Sequence, residues 1–206
     1  MGSKSLRLVV ALMGKLIIPS ACVVLGRFQP VHRGHAQLLI DANNWRLENR
    51  PELELRIAVG STNKPQNLRN PWNFEERKEM LEASLNDIGL VGEIVPVPDI
   101  DDPPNWVQHA EGFHGGPGIL ITTDDRTAEL YTNAGWEVVL MGYHNRGELV
   151  GWRVRETMRM MSTISDEPAL YEVLSMAIQR PVIEKMVQMD AIRRLAFMGE
   201  GSEPVG

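Results

Sequence analysis

Apolar and polar positions along this chain follow two alternating rhythms. Short apolar runs, rich in β-branched residues, fall at 22–25, 53–61, 93–99, 118–124 and 137–142. Between them, apolar residues return every three to four positions, the period of a helix with one buried face. Segment 37–48 carries Leu38, Leu39, Ala42, Trp45 and Leu47 at that spacing, and Pro51 stops it. After Asn73 comes an amphipathic stretch with acidic residues in its first turn and Gly89 near its stop, both helix-end signals. Segments 101–111 and 126–135 read as a loop with a short helix and as a further helix. Regular alternation of strand and helix predicts an α/β fold, a doubly wound parallel sheet of about five strands covered on both faces. The prolines in 93–99 mark that strand as an end or an edge.

The C-terminal part is helical without strands. A helix is expected to start after Ser165, and another over 181–196 with Val182, Ile183, Met186, Met189, Ile192 and Leu195 on one face. Methionines at helical spacing read as core. The expected division is an extension over 1–21, an α/β domain over 22–161, a helical subdomain over 162–198 and a disordered tail over 199–206. Lys4 and Arg7 ahead of an apolar run imitate a signal peptide, but Lys15 breaks the run and Pro19 stands where a lipoprotein cleavage site needs a large aliphatic residue. The extension is therefore expected to be retained, either disordered or packed along an edge.

Composition narrows the function classes. The 206 residues are 43% hydrophobic and 23% charged, ordinary for a soluble domain, and one cysteine excludes an intrachain disulfide framework. A net charge of −6 argues against nucleic acid as a partner, since such binding rests on neutralising phosphates. No run of 18 apolar residues exists, so no membrane span is expected; the single cysteine fits a reducing compartment, and the expected location is cytoplasmic.

The chemistry concentrates in CVVLGRFQPVHRGHAQLLI, residues 22–40. A strand ends at Gly26, a loop holds Arg27, Gln29, His32 and His35, and a helix follows. A loop in that position turns free backbone N–H groups and a positive helix end toward its ligand, which favours phosphate. Two imidazoles beside Arg27 would stabilise charge building on a phosphate under attack, with Gly34 leaving room for close approach. Taken alone, a His-x-x-His pair also serves as a metal-ligand pair or a helix cap.

The string Gly26-Arg27-Phe28-Gln29-Pro30, continued by His32, Gly34 and His35, resembles the first signature of the HxGH nucleotidyltransferases, in the form found in archaeal-type nicotinamide-nucleotide adenylyltransferases. Gly60-Ser61 at a strand end, then Asn70-Pro71-Trp72 and Glu76-Arg77, are similar to that family's GSA, NPF and ER stretches, and 96–106 is similar to its PIPD followed by tryptophan. The resemblance implies a Rossmann-like domain that joins ATP to nicotinamide mononucleotide, or its acid form, giving NAD or deamido-NAD and pyrophosphate. It implies Mg²⁺ carried on the ATP phosphates without protein side-chain ligands, and a homo-oligomer with an apolar C-terminal helix as a candidate face. Under it, His32, His35 and Arg155 are catalytic, and Gly26, Arg27, Phe28, Gln29, Gly34, Arg146 and Gly151 bind ATP. Trp106 would stack on the pyridine ring, with Asn70, Gly60, Ser61 and Arg77 around the mononucleotide. Without the resemblance, Arg77 reads as part of a solvated face.

One departure stands out. Residues 145–158 are similar to the family's second signature, NRxxYSGTxxRRxM, and Asn145, Arg146, Gly151, Arg155 and Met158 match it. Val150 and Trp152 replace a serine and a threonine that bind phosphate in relatives. Each lost donor would cost about 1–3 kcal/mol if backbone amides do not compensate. Three outcomes are open: a slowed enzyme with Trp152 crowding the phosphates, transfer to another phosphate acceptor with Trp152 stacking on a ring, or a binding protein with weakened catalysis.

Overall fold

A computed structural model describes residues 18–142 and 149–199. Five parallel strands form one sheet: β1 (Cys22–Gly26), β2 (Leu55–Val59), β3 (Glu93–Pro96), β4 (Ile119–Thr122) and β5 (Glu137–Leu140), in the order β3-β2-β1-β4-β5. The helices between them are α1 (Arg33–Asn49), α2 (Phe74–Ile88), α3 (Trp106–His114) and α4 (Asp125–Asn133); α5 (Gly151–Met161), α6 (Glu167–Leu174) and α7 (Arg180–Gln188) follow β5. This is the doubly wound Rossmann-like α/β arrangement that the alternation predicts. The proline-bearing strand β3 lies at an edge.

Period-two geometry sends successive side chains of a strand to opposite faces. Cys22 and Val24 of β1 accordingly join α1, α2 and α5 to α7 in the larger apolar cluster, while Val23 joins α3, α4 and Trp136 in the smaller one. A strand covered on both sides has no polar face, which is why residues 22–25 are continuously apolar. Local signals fix α2: Asn73 Oδ1 accepts from Glu76 N at 3.0 Å, Glu76 Oε2 accepts from Asn73 N at 2.9 Å, and Gly89 closes the helix at φ 68°.

The first helix starts at Arg33 with His32 at the N-cap, so His35 lies in the first helical turn, as the His-x-x-His spacing ahead of the apolar-periodic segment predicts. The helix expected over 181–196 breaks after Gln188: Asp190 adopts φ 53°, and a 3₁₀ turn, Arg193–Phe197, follows. The segment 162–198 has no separate core, since Leu170, Leu174, Ile183 and Met186 belong to the same cluster as Cys22 and Leu39. The apolar face of α7 expected to meet another copy is thereby spent inside the chain. At the N-terminal side, Pro19 O accepts from Arg56 Nη1 at 2.9 Å, and Ser20 Oγ donates to Pro117 O at 2.7 Å, so the end of the extension is tied to the body. Among the described residues, no helix is long and apolar enough to cross a membrane.

Candidate active site

Strand order reverses between β1 and β4, and in open parallel sheets ligands bind at the carboxyl ends of strands at such a point. A cavity of about 280 Å³ lies there, lined by His32, Gly34, His35, Leu38 and Asp41 along α1, by Thr123 and Gly142 beyond β4 and β5, and by Leu149, Val150 and Gly151 at the start of α5. Two helix N-termini therefore meet at one opening, a place suited to an anion.

The histidines are built into the first turn of α1, His32 at the N-cap and His35 at the third helical position. Their rings stack with centroids 3.7 Å apart and planes 26° from parallel. His35 Nδ1 accepts from the His32 backbone N–H at 3.3 Å, so a neutral His35 carries its proton on Nε2 and offers it as a donor. His32 Nδ1 is buried without a partner among the described residues. Burial, and then the charge of Arg155, push the His32 pKa down to about 4; burial, and then His32, hold His35 well below its usual range. Both rings are thus neutral donors or acceptors at physiological pH. Gly34 lines the cavity, and a Cβ there would stand 3.1 Å from His32 Cε1 and Nδ1, so the space it leaves also holds the His32 ring.

Three guanidinium groups surround the loop. Arg27 is exposed, whereas Arg77 is 1% exposed and neither solvated nor open to solvent contact. Arg77 donates to the carbonyls of Arg27 at 2.8 Å, Gly60 at 2.7 Å, Asn73 at 3.2 Å and Ser61 at 3.4 Å, pinning the ends of β1 and β2 together. The solvated-face reading of Arg77 is wrong because the β1 and β2 ends leave carbonyls that only a long, multi-pronged cation reaches. Arg155 Nη1 donates to Gln29 O at 2.5 Å. Burial, and then the like charge of Arg27, lower the pKa of Arg77 and of Arg155 to about 10, so both stay charged at neutral pH. An arriving phosphate would relieve that repulsion.

The remaining expected residues fall into groups. Gly26, Phe28 and Gln29 stand behind the cavity wall instead of lining it. Phe28 is 1% exposed with its ring 4.8 Å from His35, and a Cβ on Gly26 would lie 3.0 Å from that ring. Gln29 spends its side-chain amide on the Trp72 backbone. Gly151 lines the cavity, and a Cβ there would meet Arg155 Nη1 at 3.4 Å. Ser61, at φ 54°, donates to Asp99 Oδ2 at 2.7 Å, and Asn70 is buried with Oδ1 unpartnered among the described residues. Trp106 opens α3, half-buried, with its ring edge-on to Tyr131 at 6.3 Å. Trp152 is 56% exposed and is not among the described residues lining the cavity, with Arg153 5.3 Å over its ring. Arg146 and Asn145 lie outside the described residues. Sequence reasoning missed Leu38, Asp41 and Thr123; their i+4 and i+7 spacing from Gly34 was the available signal for the first two.

With this geometry in view, the matches to known proteins are specific. The cytidylyltransferase-like family model matches residues 23–165. A nicotinamide-nucleotide adenylyltransferase of Pyrococcus furiosus is 30% identical over 186 residues, covering 87% of this chain and 90% of that protein. The chain belongs to the cytidylyltransferase-like family, in its nicotinamide-nucleotide adenylyltransferase branch. A second adenylyltransferase of this branch, from Thermococcus onnurineus, is 27% identical over 194 residues, covering 90% of this chain and 94% of that one. The solved structure of a bifunctional NMN adenylyltransferase/ADP ribose pyrophosphatase from Francisella tularensis shares the fold at TM-score 0.62 and 21% identity, over 86% of this chain. The chain spans 52% of that bifunctional protein. A crystal of the same bifunctional protein carries AMP and a manganese ion.

Proposed function

We propose that this adenylyltransferase-family protein transfers AMP from ATP to nicotinamide mononucleotide, giving NAD and pyrophosphate. The observation that carries the proposal is the stacked, neutral His32–His35 pair at the start of α1, facing a cavity that also receives the α5 N-terminus, with Arg155 alongside. A phosphate oxygen of the mononucleotide attacks the α-phosphorus of ATP, the bond from that phosphorus to the bridging oxygen breaks, and pyrophosphate leaves with the electron pair. No covalent intermediate on the protein is needed, so the chain contributes alignment and charge stabilisation. His35 Nε2–H donates to the oxygens that gain charge, His32 shares the same site, and Arg27 and Arg155 balance the phosphates. Removing one well-aimed donor of this kind typically costs about 3–4 kcal/mol of transition-state stabilisation.

Among the described residues, no group of three or more His, Cys, Asp or Glu could hold a metal ion. By similarity to the branch, Mg²⁺ is assigned to the ATP phosphates with water completing its shell, where it would neutralise charge on the leaving pyrophosphate. Trp106 is assigned to the pyridine ring, with Asn70 and Ser61 on the mononucleotide side, by similarity to the branch. The unpartnered Asn70 Oδ1 supports that side, because a buried acceptor without a donor is costly unless a ligand supplies one.

The test is a coupled assay with ATP, Mg²⁺ and either the amide or the acid mononucleotide, scoring dinucleotide and pyrophosphate together. His35→Ala is expected to lower kcat by about a hundredfold or more while ATP affinity changes little. Equal losses in turnover and affinity would remove His35 from the catalytic role. No dinucleotide from either substrate with the wild-type protein would end the proposal.

A further inference from the structure

The family match ends at residue 165, yet the chain beyond it reaches back to both ends of the first signature. On one side the backbone N–H of Arg33, next to His32, donates to Ala177 O at 2.8 Å, and Arg33 Nε donates to Ser175 O at 3.0 Å. On the other, Trp72 Nε1 donates to Ala191 O at 3.0 Å. The Trp72 backbone is in turn gripped by Gln29, whose Nε2 donates to Trp72 O at 2.8 Å and whose Oε1 accepts from Trp72 N at 3.2 Å. The carbonyl of that same Gln29 accepts from Arg155.

A continuous path thus runs from Ala191 through Trp72 and Gln29 to Arg155. Ala191, Trp72 and Gln29 are 0%, 1% and 4% exposed. Away from water, a bonded polar chain has few alternative arrangements, because moving one link leaves a buried donor or acceptor unmatched. The indole of Trp72 contributes the N–H that reaches Ala191.

We infer that the segment from Ser175 to Ala191 is a positioning brace for the transfer step, acting on Arg155 through Trp72 and Gln29 and on the start of α1 through Arg33. This rests on the adenylyl-transfer reading for its kinetic consequences. Gln29 is then a positioning residue for Arg155, and Trp72 acts through it.

Trp72→Phe tests this with little change in volume. In the ATP and mononucleotide assay at 25 °C, kcat is expected to fall about fivefold, the equivalent of one hydrogen bond, with the KM for ATP within about twofold of wild type. In an Arg155→Lys background the same substitution is expected to change kcat by less than about twofold, since residues acting as one unit are not additive. A residue that merely supports the fold would lower thermal stability and leave kcat per folded molecule, and its additivity, unaffected. A second readout needs no activity: amide hydrogen exchange at residue 72, whose N–H is held by Gln29, should accelerate about fivefold in Trp72→Phe. Unchanged kcat, full additivity with Arg155→Lys, or unchanged exchange at residue 72 each overturns the brace. A wild-type protein that forms no dinucleotide would sink the adenylyl-transfer reading instead, and the exchange measurement would still decide the brace.

Discussion

Gly34→Ala separates stability from catalysis at one atom. The added Cβ would lie 3.1 Å from both Cε1 and Nδ1 of His32 and 3.4 Å from Leu149 Cβ, while the nearest contacts are side-chain atoms able to give by a few tenths of an ångström. Gly34 is helical and has no positive φ, so alanine adds no backbone strain and removes unfolded-chain entropy worth about 0.5–1 kcal/mol. The gain and the contact cost are similar in size, so Tm should move by no more than about 3 °C in either direction. The His32 ring, however, must tip away from its stack on His35. Misplacement by 1 Å in a reacting constellation costs about a hundredfold, so a shift of a few tenths predicts a fall in kcat of about tenfold. Thermal denaturation followed by circular dichroism, with dinucleotide formation at saturating substrates, reads both quantities. Unchanged kcat would refute the claim that Gly34 exists to seat His32; a Tm loss of many degrees would refute the claim that its backbone is unstrained.

Arg77→Met should strand the carbonyls of Gly60 and Arg27, lowering stability by about 3–5 kcal/mol, and a Tm within two degrees of wild type would contradict the clamp. The histidine pair makes stability depend on pH. In the unfolded chain His32 takes up a proton near 6.5, but in the folded chain only near 4, so between those values the unfolded state holds more protons and stability falls as pH drops. The contribution of His32 is on the order of 3 kcal/mol, complete above pH 6.5 and lost toward pH 4, and His32→Asn should flatten that part of a urea-midpoint profile. Trp152→Thr should leave kcat within about twofold, because the indole is exposed and outside the cavity lining. Val150→Ser should stabilise the fold by about 1 kcal/mol, a rise in Tm of about 2–4 °C, by capping α5, which now starts without a side-chain cap; a large gain in turnover would show instead that the serine hydroxyl was the missing donor.

The sequence alone determined the strand and helix alternation, because a sheet covered on both faces needs continuous apolar strands and helices with one apolar stripe. It also determined the place of His32 and His35, since a strand, a Gly-bearing loop and a helix start leave a His-x-x-His pair only the first turn. Asn73 and Gly89 bounded α2 by local hydrogen bonding and backbone freedom, which are properties of neighbours in sequence. What tertiary structure decided were the partners of long polar side chains. Arg77 could find its four carbonyls only after β1 and β2 were brought together, and Gln29 could become a link to Trp72 only once that loop closed over it. The exposure of Trp152 and the break at Asp190 were likewise illegible, because each depends on what packs alongside. Periodicity reports which face of an element is apolar; which distant group completes a buried donor or acceptor is settled only when the chain has folded.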